Sequence, residues 1–461
     1  MDFINRKKEL SFLEDKWREQ GAQFIVLWGK RRVGKTELVK RFMMDKPHVY
    51  YLCESTNETE QIKRFSSAIG RFFKEPLLET RGFAEWEEGF RYIRDRKKRF
   101  VLVMDEFPYL IGSNRAIPSL FQKAWDEYWS GSDIYLVLLG SSIAMMESEV
   151  LGHGSPLYGR RTGQWKVDPM TFASVGDFRR RKPFEDRLMH YSVAGGMPAY
   201  WLRFSPGKDF LRNVRDHVLR KGEMLYDEVE FILREELREP RHYFALLQAI
   251  AQGKRKLSEI VNATGLAQPL ANKYLGVLSD LKMVEREIPV TEEKPLKSKK
   301  GLYRITDKFS QFWLRFVFPR RGELEIDRVE EVLGNIKVGL PHHLAEVYEK
   351  VATELVLKHT EMFFPFTRIG RWWDKGVEID IVGVNPDLNS ILFGEVKWSV
   401  KPIGTDVFEA LRSKVGKVTW GGPGRKEYYC LFSKSGFTDA MSTKAEAEGI
   451  RLFKGETLLT P

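Results

Sequence analysis

Apolar positions along the first half of the chain gather into three short continuous runs. They are Phe24 to Trp28, Phe100 to Met104, and the run DIYLVLLG that stops at Ser141 and Ser142. Runs of this length, bounded by glycine or charge, predict strands buried on both faces, as in a parallel sheet. ELVKRFM, directly after the first run's loop, has the apolar spacing of a helix, so this half reads as strand alternating with helix. From about residue 241 the pattern changes. RHYFALLQAIAQ and LSEI predict short helices, and Gly265 turns the chain. Gln268 to Leu281 then sets Leu270, Tyr274, Leu275, Leu278 and Leu281 at helical spacing. MVEREIPV and GLYRITD follow as two β-like pieces joined by the basic tip TEEKPLKSKK. In the last third HHLAEVYEKVATELVLKH predicts a helix. WWDKGVEIDIVGVNPDLNSILFGEVKWS predicts two strands joined by a turn at Asn385-Pro386-Asp387.

Length and composition set the scale of this organisation. At 461 residues the chain exceeds one hydrophobic core, and about three domains is the natural expectation. A hydrophobic content of 43% excludes a wholly disordered protein. No apolar run approaches the roughly 18 to 20 residues of a membrane helix, so no membrane association is expected. MDFINRKKELSFLEDKW has no apolar stretch before a small-residue cleavage site, and a cytoplasmic protein is expected. Cys53 and Cys430 are too few for a disulfide framework or a cysteine-based zinc cluster. Lys and Arg total 75 against 64 Asp and Glu, a net charge of +11. That excess suits a polyanionic partner, while the 30% charged content also suits the ion-pair networks of a heat-adapted protein.

Candidate chemistry is most specific in the segment FIVLWGKRRVGKTELVKRF. GKRRVGKT, Gly29 to Thr36, matches the phosphate-loop pattern G-x-x-x-x-G-K-[ST] without departure, between a strand pattern and a helical one. Its glycines let successive backbone N–H groups curl around a phosphate at the positive end of the following helix. Gly29, Lys30, Arg31, Arg32, Val33, Gly34, Lys35, Thr36 and Glu37 are therefore expected to bind the phosphates of a nucleotide. In this arrangement Lys35 reaches the β- and γ-phosphates and Thr36 ligates Mg2+ through its hydroxyl. RFVLVMDEFPYL supplies the carboxylates such a loop needs. Asp105 is expected on the metal, and Glu106 is placed to polarise the attacking water. Ser141 is expected to contact the γ-phosphate or the water; the alternative is that the serine pair simply caps the next helix through Ser142. Arg160, with Arg161, stands before another short strand. It is expected either to stabilise charge on the transferring phosphate, in its own subunit or a neighbour's, or to serve as a surface or nucleic-acid contact.

Taken in order, FINRKKEL, GKRRVGKT, VYYLCES, LVMDEFPYL, LLGSS, LYGRR and SVAGGMPAYW resemble the archaeal-type P-loop ATPases of the AAA+/STAND assemblage. Phe3, Arg6, Glu9 and Leu10 are similar to that family's lead-in helix, and the likeness runs to Trp201. The resemblance implies a parallel sheet with a helical lid, adenine nucleotide as ligand, and Gly195 to Trp201 in the lid. Residues 1–175 would form the ATPase core and 176–238 the lid.

Residues 239–306 resemble a winged helix. Gln268, Asn272 and Lys273 would be offered to a major groove, and Lys297, Lys299 and Lys300 on the wing to phosphates. From Lys294 to Arg321 there are nine basic residues against Asp307 alone. Such modules also serve purely as protein-interaction surfaces, and both readings stand at this point.

In residues 307–461, Glu378 and Asp380 alternate with Val377, Ile379 and Ile381, and Glu395 and Lys397 with Val396 and Trp398. A hairpin brings Asp380 beside Glu395 and Lys397. This arrangement resembles the PD-(D/E)XK nuclease superfamily, although Ile379 stands where that pattern has proline. The resemblance implies that Asp380 and Glu395 carry Mg2+ or Mn2+ and that Lys397 orients or activates water. Glu349, or Glu346 on the same helix, would supply the further acid. A surface ion-pair cluster and an inactive nuclease-like scaffold are the competing readings. His342 and His343 are expected as a solvated pair. Archaeal ATPases of this kind often end in a domain with this E-I-D…E-V-K pattern, which carries the resemblance over nearly the whole chain.

The fold expected is thus multidomain α/β: a parallel-sheet P-loop ATPase with a helical lid, a winged helix, and a restriction-endonuclease-like α/β domain. The function expected is Mg2+-dependent ATP hydrolysis coupled to nucleic-acid binding, duplex DNA foremost, and to endonuclease activity, with homo-oligomers allowed. The alternative is a nucleotide-dependent switch or scaffold with a protein-binding winged helix and a silent tail.

Overall fold

In the computed structural model, which describes residues 3–179, 181–237 and 240–459, the chain forms two compact units. One comprises Met1–Met170 with Met197–Ala199, the other Thr171–Gly196 with Tyr200–Pro461. The second unit thus holds the segments expected as lid, winged helix and tail, apart from Met197–Ala199. The expected boundary at 238/239 falls outside the described residues.

The first unit is built on a parallel sheet of β1 (Gln23–Trp28), β2 (His48–Leu52), β3 (Val101–Asp105), β4 (Tyr135–Gly140) and β5 (Gly163–Lys166). The order is β2-β3-β4-β1-β5. β3 and β4 are buried along their whole length and β1 nearly so, because helices cover both faces of a parallel sheet. The helix Glu58–Phe73, for example, turns Ile62, Phe65 and Ile69 inward onto a core that includes Val26, Leu102 and Leu136. Because β4 lies between β1 and β3, three adjacent strand ends deliver Gly29–Thr36, Ser141 and Asp105–Glu106 to one edge of the sheet. That is where ligands bind in open α/β sheets.

In the second unit the helices Pro240–Ala251, Leu257–Thr264 and Gln268–Asp280 precede an antiparallel pair, β6 (Val284–Glu287) and β7 (Leu302–Ile305). The helix expected in the tail is longer than its pattern indicated, running Val329–Lys358 through Pro341. It leads into a six-stranded sheet of β8 (Arg368–Asp374), β9 (Val377–Asn385), β10 (Ser390–Lys397), β11 (Lys426–Ser433), β12 (Arg451–Lys454) and β13 (Thr457–Leu458), ordered β13-β12-β11-β10-β9-β8. β9 pairs antiparallel with β8 and β10, while β10, β11 and β12 run parallel. Ile379, Val382, Ile391, Phe393 and Leu431 form its core with Phe408 and Leu411 of the helix Thr405–Val415.

The segment joining β6 to β7 is bound to the edge strand β8. Val290 N donates to Arg371 O at 3.0 Å. Trp373 Nε1 donates to Lys300 O at 3.0 Å, and Arg368 Nη1 donates to Glu292 O at 2.7 Å. Lys300, expected to face phosphates, instead pairs with Glu292 and Asp374. The basic run of the sequence is largely consumed in the same way. Arg304, Arg315, Arg320 and Arg321 pair with carboxylates, and Lys308 lies over the ring of Tyr191. Lys294, Lys297 and Lys299 stay exposed, and none makes an ion pair among the described residues.

The histidine pair also departs from expectation. His342 is exposed, but His343 is wholly buried, with Nε2 3.0 Å from Ser192 O, because it points at the helix Phe184–Ala194. Burial pushes its pKa down to about 4.

Candidate functional site

The loop between β1 and the helix Lys35–Met43 owes its path to three residues with positive φ: Gly29 at 153°, Arg32 at 69° and Gly34 at 94°. At Gly29 a Cβ would stand 2.3 Å from Val167 O, so only glycine lets β1 leave the sheet beside the chain that follows β5. Arg6 fastens the loop from outside. Its guanidinium donates to Val33 O and Asp168 O, each at 2.8 Å, and pairs with Glu9.

Inside the loop, Lys35 Nζ donates to Gly29 O at 2.8 Å, Lys30 O at 3.1 Å and Ser141 Oγ at 3.0 Å. Ser141 Oγ in turn donates to Glu106 Oε1 at 2.5 Å. Glu106 itself is held at a positive φ of 53°. Thr36 Oγ1 donates to Asp105 Oδ2 at 2.8 Å, and Tyr50 OH donates to the same oxygen at 2.6 Å. Burial, then the hydrogen bond to Asp105, raises the Tyr50 phenol well above its ordinary pKa. A hydroxyl and a carboxylate already in contact at a sheet edge are the donors that Mg2+ takes alongside nucleotide phosphates, so these residues fit that ion.

Of the expected set, Lys35, Thr36, Asp105, Glu106 and Ser141 are brought together. Ser142 makes no side-chain capping bond. Glu37 is exposed and pairs with Lys40, and Arg31 Nη2 donates to Tyr109 OH at 3.0 Å. Arg160 grips Asp126 through Nε and Nη2 at 3.0 and 2.9 Å and donates to Pro156 O. Tyr50 was missed by sequence reasoning. Its only signal is strand alternation beside β3, in HVYYL.

The second cluster lies on β9 and β10. Their last ladder pair is Ile381 with Gly394, so Asp380 and Glu395 come next along the same register. Asp380 Oδ2 accepts a bond from Val396 N at 2.9 Å. Burial, then the charges of Glu349 and Glu395, push the Asp380 carboxyl up to about 7. Glu349 is likewise raised, by burial first, with Arg371 opposing. Arg371 Nε lies 3.6 Å from its carboxylate. Glu346 is turned elsewhere, onto Arg315 and Gln311.

Glu395 Oε1 accepts from Lys397 Nζ at 2.7 Å. Lys414 Nζ donates to both of its oxygens, at 2.7 and 2.9 Å. Burial would lower the Lys397 ammonium, but Glu395 and the charges of Asp380 and Glu349 together raise its pKa. Lys414, in the last turn of the helix Thr405–Val415, had no recognisable signal in the sequence. Among the described residues no group of three or more His, Cys, Asp or Glu side chains is arranged to hold a metal ion. With two ammonium groups on Glu395, the cluster as it stands does not fit a divalent cation.

On the helix Gln268–Asp280, Gln268, Asn272 and Lys273 are all exposed. At the base of the hairpin is a half-buried ionic knot. Lys350 and Arg255 each reach Glu287 at 2.6 Å. Burial would raise the Glu287 carboxyl, but Arg304, Lys350 and Arg255 hold it down to about 2. No described helix is long and apolar enough to cross a membrane.

Residues 3–203 match the family described as an ATPase domain predominantly from Archaea. Residues 313–406 match one described as "Archaea bacterial proteins of unknown function". An uncharacterized protein of Methanocaldococcus jannaschii is 35% identical over 444 residues, covering 94% of this chain and 95% of the relative. An uncharacterized ATP-binding protein of the same organism is 59% identical over 44 residues, covering 10% of this chain and 75% of its own. Among solved structures, a Walker-type ATPase of Pyrococcus abyssi superposes with a TM-score of 0.52 at 22% identity, covering 68% of this chain and 96% of that one. That last likeness bears on the fold alone.

Proposed function

The chain belongs to the family of the Methanocaldococcus jannaschii protein, ATPases whose P-loop domain is of the kind found predominantly in Archaea, and from that premise we propose a nucleic-acid role. ATP binding and hydrolysis at Gly29–Thr36 is coupled to duplex DNA binding through the helix Gln268–Asp280 and its hairpin. It is coupled also to phosphodiester cleavage at Asp380, Glu395 and Lys397.

In the ATPase step Lys35 exchanges its carbonyl and serine partners for the β- and γ-phosphates. Glu106, which here accepts from Ser141, turns its carboxylate to the attacking water and orients it. Thr36 and Asp105 would hold Mg2+, which when bound would supply charge neutralisation on the transferred phosphate. Ser141 contacts the γ-phosphate from the neighbouring strand end.

The observation that carries the nucleolytic part is the register of β9 on β10. It supports the reading by bringing Asp380 beside Glu395, on which Lys397 closes, with burial pushing the Asp380 carboxyl up to about 7. Lys397 is the group suited to orient a water there. The second reading, a nucleotide-driven switch with a silent tail, is favoured by the hairpin bound to β8 and by the two lysines on Glu395.

Cleavage of plasmid and single-stranded DNA with Mg2+ or Mn2+, with and without ATP, separates them. The proposal expects cutting by wild type that is lost in Asp380→Ala, Glu395→Ala and Lys397→Ala while nucleotide binding persists. If no substrate is cut, or the variants cut as wild type does, the tail is silent. Duplex affinity that falls steeply with salt supports the DNA-binding part.

A further inference from the structure

Asp105 is held from two sides, and only one of its holders belongs to the phosphate-loop segment. Thr36 reaches its Oδ2 from the helix Lys35–Met43 that follows the loop. Tyr50 reaches the same oxygen from β2, the edge strand that flanks β3 on the side away from β1. The register explains why this phenol arrives there. Leu52 is the ladder partner of Asp105, so Tyr50, two residues earlier, shares the face of its carboxylate. Tyr51 points to the other face, where its hydroxyl donates to Gln61 O at 2.9 Å. Cys53 N donates to Asp105 O at 2.8 Å, which carries the pairing of β2 on β3 past the carboxylate. Asp105 Oδ1 accepts from the Glu106 amide at 2.9 Å, so a side chain buried among these strands is bonded at both oxygens.

We propose that Tyr50 is a positioning residue of the ATPase site, holding the Asp105 carboxylate in the orientation that a metal–nucleotide complex requires. The role rests on the ATPase reading given above, and neither the G-x-x-x-x-G-K-[ST] pattern nor the acidic pair contains it. Thr36 has to serve the ion and the carboxylate at once; Tyr50 serves the carboxylate from outside the loop. A phenol suits the task for two reasons. Being a neutral donor, it leaves the charge of the carboxylate in place, and its rigid ring loses little freedom on being fixed.

Tyr50→Phe removes the hydroxyl and keeps the ring. Tyr51→Phe is the control, stripping a phenol from the same strand without touching Asp105. Two readouts are taken on the full chain. One is phosphate release from ATP across a Mg2+ titration; the other is Mn2+ uptake with ADP present, followed by the free-ion electron paramagnetic resonance signal. Loss of an outer partner of a metal-binding carboxylate costs roughly tenfold or more in metal affinity. Tyr50→Phe is therefore expected to raise the half-saturating Mg2+ and to weaken Mn2+ uptake by that factor. Its rate at saturating Mg2+ should stay within about twofold of wild type. ADP binding in EDTA should be unchanged, showing that the loop is intact, and Tyr51→Phe should match wild type in metal dependence. The proposal is overturned if Tyr50→Phe keeps the wild-type metal dependence, if only its saturated rate falls, or if Tyr51→Phe shifts as far. Loss of ADP affinity in EDTA overturns it as well, because the hydroxyl would then support the loop rather than the carboxylate. If wild type hydrolyses ATP without a divalent cation, the Mg2+ part of the ATPase reading fails and takes the Tyr50 role with it.

Discussion

Asp105 and Glu395 are both buried carboxylates on sheet strands, 1% and 4% exposed, yet they are held by opposite kinds of donor. Asp105 accepts from the hydroxyls of Thr36 and Tyr50 and from the Glu106 amide. Glu395 accepts from two ammonium groups. Hydroxyl donors leave the negative charge of a carboxylate in place for a cation; ammonium donors cancel it. A carboxylate at similar burial is therefore poised at one sheet and restrained at the other. What differs is the chemistry of the donors.

The sharpest way to break that contrast is at the poised site. Lys35→Ala is expected to lower ATP hydrolysis roughly a hundredfold or more, the scale of losing one charge-stabilising group in a preorganised site. Phosphate release measures it. Asp380→Ala should leave hydrolysis within about twofold, since Asp380 shares no partner with the phosphate-loop side chains; a loss as deep as that of Lys35→Ala would end the contrast.

A second effect concerns stability. Asp380 has its pKa raised from 3.8 to about 7, by burial first, so its ionised form is the one the fold tolerates poorly. Its contribution is fully present below pH 3.8 and is lost as pH rises through about 7. Asp380→Asn should therefore raise stability above pH 7, by no more than about 4 kcal/mol, and with it the Tm, and leave both unchanged below pH 3.8. Thermal melts at the two pH values decide it.

The smallest effect is at Lys300. Its pairs with Glu292 and Asp374 are partly exposed, and Lys300→Ala should cost less than about 1 kcal/mol in denaturant unfolding. A larger loss would mean that charge, rather than the backbone bond from Val290 to Arg371, fastens the hairpin.

The two sites also differ in how far the sequence exposes them. Gly29 to Thr36 is contiguous, and its geometry follows from local backbone demands, so spacing alone indicates the loop. Asp105 and Ser141 follow because strand ends of a parallel sheet share an edge. The hairpin of β9 and β10 was legible too, since alternation fixes which side chains share a face. Lys414 and Arg371 were not, because nothing local marks a lysine in a last helical turn or an arginine on an edge strand as the partner of a distant carboxylate. The basic stretch from Lys294 to Arg321 misled for the same reason. Arg304, Arg315 and Arg321 look like a patch along the chain, yet their partners are Glu287, Glu346, Asp227 and Glu230. Linear charge density cannot distinguish a solvated cation from one neutralised across the fold.

The bond from Val290 to Arg371 has a consequence for how the tail can exist. β8 is the last strand of its sheet, and an open strand edge invites pairing with another chain. The β6–β7 connection shields that edge, with Lys300, Glu292 and Arg368 as charged gatekeepers around it. A fragment starting at residue 307 would bare the edge, and aggregation, rather than a soluble nuclease-like module, is the outcome to design against. Excision should begin upstream of β6, so that the strand keeps its cover.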